Sequence, residues 1–296
     1  MLEVINIELN KIYNMDCLEG LKLLNDNSID LIITSPPYDD LRNYNGYSFD
    51  FEAIVRELYR VTKQGGVAVW VVGDKTKDGS ETGTSFKQAL YFKEVGWLLN
   101  DTMIYKKDTT FGTSGKGSNR YGQEFEYMFV FSKGKPKTFN PIMIPCKHAG
   151  EIHDGSTRKN RQSDGEEFDA KRKLVNPKVN DFKRKGNIWE YGVGIRASKD
   201  KIAFKHPAIF PEKLAEDHIV SWSNEGDLVL DIFMGSGTTA KMCLLNNRNY
   251  IGFELSKEYC DIAKERLKNI NSKNPMQSVE IKQMPTIKEN LGVSCQ

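Results

Sequence analysis

The chain has 296 residues, 39% of them hydrophobic, enough for one large α/β core with insertions or for two smaller domains. Charged residues make up 28% yet nearly cancel at a net +2, so the whole-chain charge selects no polyanionic partner. Five scattered cysteines, odd in number and without a CxxC spacing, argue against a disulfide scaffold or a zinc site and read as reduced thiols of a cytoplasmic protein.

The opening segment, MLEVINIELNKIYNMD, carries acidic residues early and no long apolar run, which predicts neither a secretion signal nor a membrane span. From there to about Gly134, β-rich runs alternate with helical ones. Residues 29–34 (IDLIIT), 67–72 (VAVWVV) and 126–132 (EYMFVFS) are continuous apolar runs, as for parallel strands covered on both faces, and 50–63 and 85–95 read as covering helices. The first of these strands runs straight into Ser35, Pro36, Pro37 and Tyr38. Two prolines there force a stiff, extended exit and remove two backbone donors. The corner lies at the carboxyl end of a strand, where open α/β sheets bind ligands. It offers the Ser35 hydroxyl and the Pro36 carbonyl as acceptors beside the Tyr38 ring. A loop whose prolines merely end a strand is the plainer alternative.

Between Lys133 and Lys205, 18 Lys and Arg face 9 Asp and Glu, while the rest of the chain carries 24 against 31. The stretch 135–205, with KRK at 171–173 and again at 183–185, therefore reads as an inserted region or small second domain suited to a polyanion. Asn119, Arg120, Lys171, Arg172, Lys173 and Arg184 are candidate contacts, each with a solvated surface role as the alternative.

Strand and helix patterns resume from Pro211 to about Ile270, with strands at 227–233 and 250–254 and helices at 211–223, 238–246 and 256–269. In DLVLDIFMGSGTT (227–239) an apolar strand ends at Asp231, a turn passes through Phe233, Gly235, Ser236 and Gly237, and a helix opens at Thr238. The glycines let the backbone turn sharply and approach a ligand, and the helix start offers N–H groups to a carboxylate or phosphate. Glu254 closes the next strand, where an acid can accept the ribose hydroxyls of a nucleoside cofactor. Neither GxGxxG nor GxxxxGK[ST] is present, which counts against nicotinamide and nucleoside triphosphate ligands. Residues from 271 onward are polar and aperiodic and read as a tail.

TSPPY at 34–38 and DIFMGSGTT at 231–239 resemble the catalytic and cofactor motifs of amino-DNA methyltransferases, which make N4-methylcytosine or N6-methyladenine. The catalytic motif comes first, with a basic insertion between, an order similar to the permuted beta group of restriction-modification enzymes. The resemblance implies a Rossmann-like, doubly wound α/β sheet, circularly permuted. It divides the chain into a catalytic half (1–134), a basic target-recognition insertion (135–205), a cofactor half (206–270) and a polar tail (271–296). S-adenosylmethionine is the implied cofactor, with Asp16 of YNMDCLEGL, Asp231, Phe233, Gly235, Ser236, Gly237, Thr238, Glu254 and Phe210 as its binding residues. His206 and Pro207 of KHPAIFPEKL fall near its methionine end. Ser35, Pro36, Pro37 and Tyr38 are the implied catalytic residues, and no metal is called for. Double-stranded DNA is the implied partner, and no membrane is. A homodimer, and a cognate restriction endonuclease without direct contact, are left open.

An exocyclic amine is a poor nucleophile because its lone pair is delocalised into the base ring. Acceptors at Ser35 and Pro36 would hold its two N–H groups and favour the pyramidal geometry that frees the lone pair, while Tyr38 stacks on a base flipped out of the duplex. In this family Ser-Pro-Pro-Tyr is associated mostly with cytosine N4 and Asp-Pro-Pro-Tyr with adenine N6, so cytosine N4 is the favoured target and adenine N6 the alternative. Two readings of other classes are a non-catalytic nucleic-acid-binding module on the same fold and a methyltransferase for RNA or small molecules. Both motifs are unbroken, against the first, and the basic insertion would lack a purpose in the second.

Overall fold

The computed structural model describes residues 7–37, 50–111, 119–151, 159–161, 167–169 and 178–271. The first half contains β1 (Lys11–Asn14), α1 (Cys17–Lys22), β2 (Ile29–Thr34), α2 (Phe51–Val61), β3 (Thr62–Val72), a hairpin of β4 (Thr76–Lys77) and β5 (Ser80–Glu81), α3 (Thr84–Val95), β6 (Leu98–Phe111) and β7 (Gln123–Ser132). Four short strands follow: β8 (Met143–Pro145), β9 (Lys159–Arg161), β10 (Glu167–Asp169) and β11 (Phe182–Arg184). The last part contains β12 (Ile188–Tyr191), α4 (Glu212–Trp222), β13 (Leu228–Asp231), α5 (Thr238–Leu245), β14 (Asn249–Glu254) and α6 (Lys257–Asn271).

Eight strands form one sheet in the order β1-β14-β13-β2-β3-β7-β6-β12. The two last strands of the chain, β13 and β14, slot between β1 and β2 from its start, pairing parallel with both. This is the arrangement a permuted order requires, and it sets both halves of the sequence on one carboxyl edge. Of the eight, only β7 runs against its neighbours. The apolar pattern of 126–132 predicts one more parallel strand; the run instead returns directly from β6 and lies between β6 and β3, and a direct return between neighbouring strands is antiparallel.

Burial follows the alternation of the strands. Ile32, Ala68, Trp70, Leu230 and Phe253 share one core with Leu21 of α1, Leu58 of α2 and Phe92 of α3. Leu31, Ile33, Val69 and Val229, equally buried, point to the other face, where α4 packs on α5 and α5 on α6. Helix α2 illustrates the local logic. Asp50 caps it by accepting from the Ala53 N–H at 3.1 Å, and Ile54, Val55, Leu58 and Val61 fall on one buried stripe.

The chain divides into two compact units, Pro141–Gly186 and the remainder. In the smaller unit β8 pairs with β11 and β9 with β10, both antiparallel. The larger unit takes in residues 135–140 and 187–205 of the basic stretch, because β12 extends the main sheet through buried Trp189 and Tyr191. Lys171, Arg172 and Lys173 lie outside the described residues. Among the described residues, no helix is long and apolar enough to cross a membrane.

Candidate active site

A cleft of about 1760 Å³ runs along the carboxyl edge of the large sheet. Pockets for one small ligand commonly measure roughly 300–1,000 Å³, so this one has room for two occupants side by side. One end lies over β1, β13 and β14, and the other is lined by Tyr105, Lys107 and Glu126 from β6 and β7.

Ser35, Pro36 and Pro37 leave the end of β2 and line the cleft, Pro36 buried and the other two half-buried. Tyr38 lies outside the described residues. Next to them in the sheet, β13 ends at Asp231, which is only 4% exposed. Its Oδ1 accepts from Thr34 Oγ1 at 2.7 Å and from the Phe233 N–H at 3.1 Å, and its Oδ2 from Thr239 Oγ1 at 2.6 Å. Burial pushes the Asp231 carboxyl above the usual range, and these three donors oppose the shift. Asp231 thus organises the turn with both oxygens engaged inside the protein.

The turn itself is held peptide by peptide. Met234 N–H donates to the Phe253 carbonyl at 2.9 Å, Gly235 N–H to Glu254 Oε2 at 2.8 Å, and Gly237 N–H to the Met234 carbonyl at 2.9 Å. Gly235 and Gly237 have φ of +52° and +80°, a region costly for side chains. The two glycines serve different surfaces. Gly235 lines the cleft facing His206, whereas a Cβ on Gly237 would stand 2.7 Å from Ala263 Cβ, so Gly237 lets α6 pack close. Helix α5 starts with no side-chain cap, so its first-turn N–H groups are not taken by a capping side chain.

Glu254, at the tip of β14, is half-buried; its Oε1 accepts from the Ser256 N–H at 2.8 Å. Burial raises its carboxyl above the ordinary value, with the Ser256 and Gly235 N–H groups pulling the other way. Asp16 follows β1 and is exposed; its Oδ1 caps α1 through the Leu18 and Glu19 N–H groups at 2.8 and 3.3 Å. Phe233 is half-buried in the cleft wall, edge-on to Trp70 at 6.5 Å. Opposite it the 204–211 segment contributes His206, Pro207 and Phe210, with the His206 ring 4.2 Å from that of Tyr259 and its Nδ1 accepting from the Ala208 N–H at 3.1 Å.

The family model described as DNA methylase, of the N6 and N4 methyltransferases, matches residues 29–265. The chain belongs to this family. M.BamHII of Bacillus amyloliquefaciens, an orphan methyltransferase, is 62% identical to the methylase over 251 residues, which span 83% of this chain and 91% of that protein. Among solved structures, the cytosine-N4-specific PvuII DNA methyltransferase superposes with a TM-score of 0.62 at 20% identity, over 90% of this chain and 93% of that one. TTHA0409 of Thermus thermophilus, complexed with S-adenosyl-L-methionine, gives 0.56 at 23%, over 88% and 93%. These two likenesses carry the fold.

Sequence reading missed several residues of the methylase site. Thr34 and Thr239 hold Asp231 from two sides, and their signal was present in the sequence: Thr34 opens TSPPY and Thr239 closes DIFMGSGTT. Lys107 and Glu126, paired at 2.9 Å and mostly buried, close the far end of the cleft, and only the pairing of β6 with β7 brings them together. Ser236 and Thr238, both within 231–239, line the cleft, and their hydroxyls accept from Arg266 at 3.1 Å behind the turn. Arg120 is held by the β4–β5 hairpin, through the Gly79 carbonyl and Glu81 at 3.6 Å; Asn119 is exposed. Arg184 is exposed on β11 of the smaller unit.

Proposed function

We propose that this methylase transfers a methyl group from S-adenosylmethionine to N4 of a cytosine flipped out of duplex DNA. The observation that carries this reading is the meeting, on one sheet edge, of the Ser35–Pro37 corner and the 231–238 turn within a single cleft. The residues present fit the cofactor. Glu254 offers a half-buried carboxylate to ribose hydroxyls, the uncapped start of α5 suits a carboxylate, and Phe233, His206 and Phe210 supply ring walls.

S-adenosylmethionine supplies the electrophilic methyl group. Ser35 Oγ and the Pro36 carbonyl accept the two N–H groups of the amine, pyramidalising the nitrogen and freeing its lone pair. A serine hydroxyl is too weak a base at neutral pH to remove the amine proton first, so the proton leaves after the methyl group has arrived. In this reading the Tyr38 ring serves as the stacking platform for the flipped base. Serine rather than aspartate at position 35 supports cytosine over adenine as the target.

The partner is double-stranded DNA, engaged by the basic insertion of a cytoplasmic enzyme. The reading admits a second copy of the chain, and a cognate endonuclease that acts on the same sites without touching it. Neither is needed for the chemistry, and the Bacillus amyloliquefaciens relative is named an orphan.

The test is methyl transfer from labelled S-adenosylmethionine to duplex DNA, RNA and small amines, followed by digestion to nucleosides. N4-methylcytosine from the duplex is expected. N6-methyladenine would correct the base, and no transfer to any substrate would leave a contact-only module. In single turnovers Ser35→Ala is expected to lose about a hundredfold in rate, about 3 kcal/mol, with substrate affinities nearly unchanged.

A further inference from the structure

Behind the glycine turn, on the side away from the cleft, α6 presents an arginine whose side chain has no solvent exposure. Arg266 Nη1 donates to the Ser236 carbonyl at 2.6 Å, and to Ser236 Oγ and Thr238 Oγ1 at 3.1 Å each. The rest of the same guanidinium faces the segment that leads from β12 to α4. Its Nε donates to Asp200 Oδ2 at 3.1 Å and its Nη2 to Glu212 Oε1 at 2.9 Å. Lys241, one turn into α5, reaches the same two carboxylates at 2.8 and 2.7 Å, and Ser198 Oγ donates to Glu212 at 2.6 Å.

Two cations and two carboxylates make this set neutral, which is what lets Arg266 sit fully buried with Asp200 at the rim of the cluster. Burial alone would raise both carboxyls. Hydrogen bonds from Lys241 and Arg266 to Asp200, and from Lys241 and Ser198 to Glu212, instead hold both below the usual range.

The cluster joins the two walls of one end of the cleft. The turn of Gly235 and Ser236 is one wall; the segment between Asp200 and Glu212 carries His206 and Phe210, the other. A Cβ on Gly235 would lie 3.2 Å from His206 Nε2, so the turn is held between His206 in front and Arg266 behind. A planar fork with five donors can serve both walls at once, which an ammonium on a flexible stem does poorly.

The geometry points to Arg266 as a positioning residue for cofactor binding: by clamping the glycine turn to the Asp200–Glu212 segment it sets the spacing of the walls that enclose S-adenosylmethionine. This rests on the reading of residues 231–238 as the cofactor turn. A cluster that served stability alone would lower the melting temperature and leave the affinity of the folded protein intact. A clamp that sets wall spacing raises the cofactor KM much more than it lowers kcat.

Arg266→Lys keeps the charge and removes the fork. Calorimetry with S-adenosylhomocysteine is expected to show affinity reduced about tenfold or more, with the single-turnover rate at saturating cofactor within about threefold of the parent. Affinity within about twofold of the parent in folded R266K overturns the proposal. Gly235→Val, measured alongside, separates the two levels. If it also binds normally, the turn is not the cofactor's; if it binds weakly while R266K binds normally, only the clamp is wrong. Should R266K fail to fold, Asp200→Asn decides, since Asp200 sits at the rim with its side chain 31% exposed. A loss of about threefold or more supports the clamp, and a smaller change overturns it.

Discussion

Thr34 and Asp231, 197 positions apart in the chain, are joined by a buried hydrogen bond of 2.7 Å. Thr34 is the last residue of β2 before the Ser-Pro-Pro corner, and Asp231 the last of β13 before the glycine turn. One hydroxyl therefore ties the Ser-Pro-Pro corner directly to the glycine turn.

Thr34→Val, close to isosteric, removes that donor and leaves the buried carboxylate underpaired. The expected cost is about 1.5–3 kcal/mol, a fall of roughly 2–4 °C in Tm per kcal/mol. Methyl transfer at saturation should drop as well, because corner and turn lose their common anchor. Thermal unfolding and single-turnover kinetics check both, and parental values in each would show that neither depends on the bond.

Gly237→Ala is expected to destabilise the fold more than Gly235→Ala does. The left-handed φ alone costs about 1–2 kcal/mol at either position. At Gly237 the new methyl also meets Ala263 at 2.7 Å and forces α6 outward; at Gly235 it meets only the His206 ring, at 3.2 Å. Gly235→Ala should instead weaken cofactor binding. Chemical denaturation paired with calorimetry of both variants distinguishes the two roles, and the opposite ranking would refute them.

Acid should loosen the cluster behind the turn. Asp200 and Glu212 have folded values below their unfolded ones, so the stability they contribute is complete above the ordinary carboxylate range of about 4 and is lost as pH falls through the lowered values. Asp231 and Glu254 are raised and act in the opposite sense, costing stability as pH rises through the ordinary range. The difference between the parent and Asp200→Asn isolates the first effect. Their melting temperatures should converge as pH falls below about 4, and a gap that stays constant down to acid unfolding would exclude it.

Replacing Lys183 and Arg184 by Ala should weaken DNA binding in a salt-dependent way. Both are exposed on β11, paired with β8 in a two-stranded ribbon of the smaller unit. For every phosphate that is no longer neutralised, the slope of log affinity against log salt should flatten by about 0.9. An unchanged slope across a salt titration would remove this ribbon from the interface. Cofactor affinity in the absence of DNA should stay at the parental value.

The apolar runs of β2, β3, β13 and β14 were legible in the sequence because central parallel strands are buried on both faces and must be apolar throughout. The Ser-Pro-Pro corner and the glycine turn were legible because both need residue types that few other situations require. Strand β6, LLNDTMIYKKDTTF, was not, since it buries little beyond Met103 and Tyr105 and the apolar pattern is diluted by Lys and Asp. The same holds for β12, whose Trp189 and Tyr191 lie in a stretch that reads as polar insertion.

What the sequence determined by itself was the chemistry at each strand end: two acceptors beside prolines, glycines before a helix, an acid closing a strand. Only the tertiary structure decided which groups face the cleft and which hold it from behind. Gly237 sits in the 231–239 motif yet packs on Ala263, and Asp231 lines the cleft with its oxygens held by Thr34 and Thr239, while Arg266 and Glu212, remote in sequence and ordinary on any helix, meet at the turn. The physical reason is that a strand-end motif specifies local backbone and donor types, whereas burial and partnership depend on how α4, α5 and α6 pack on one face of a sheet whose strands interleave.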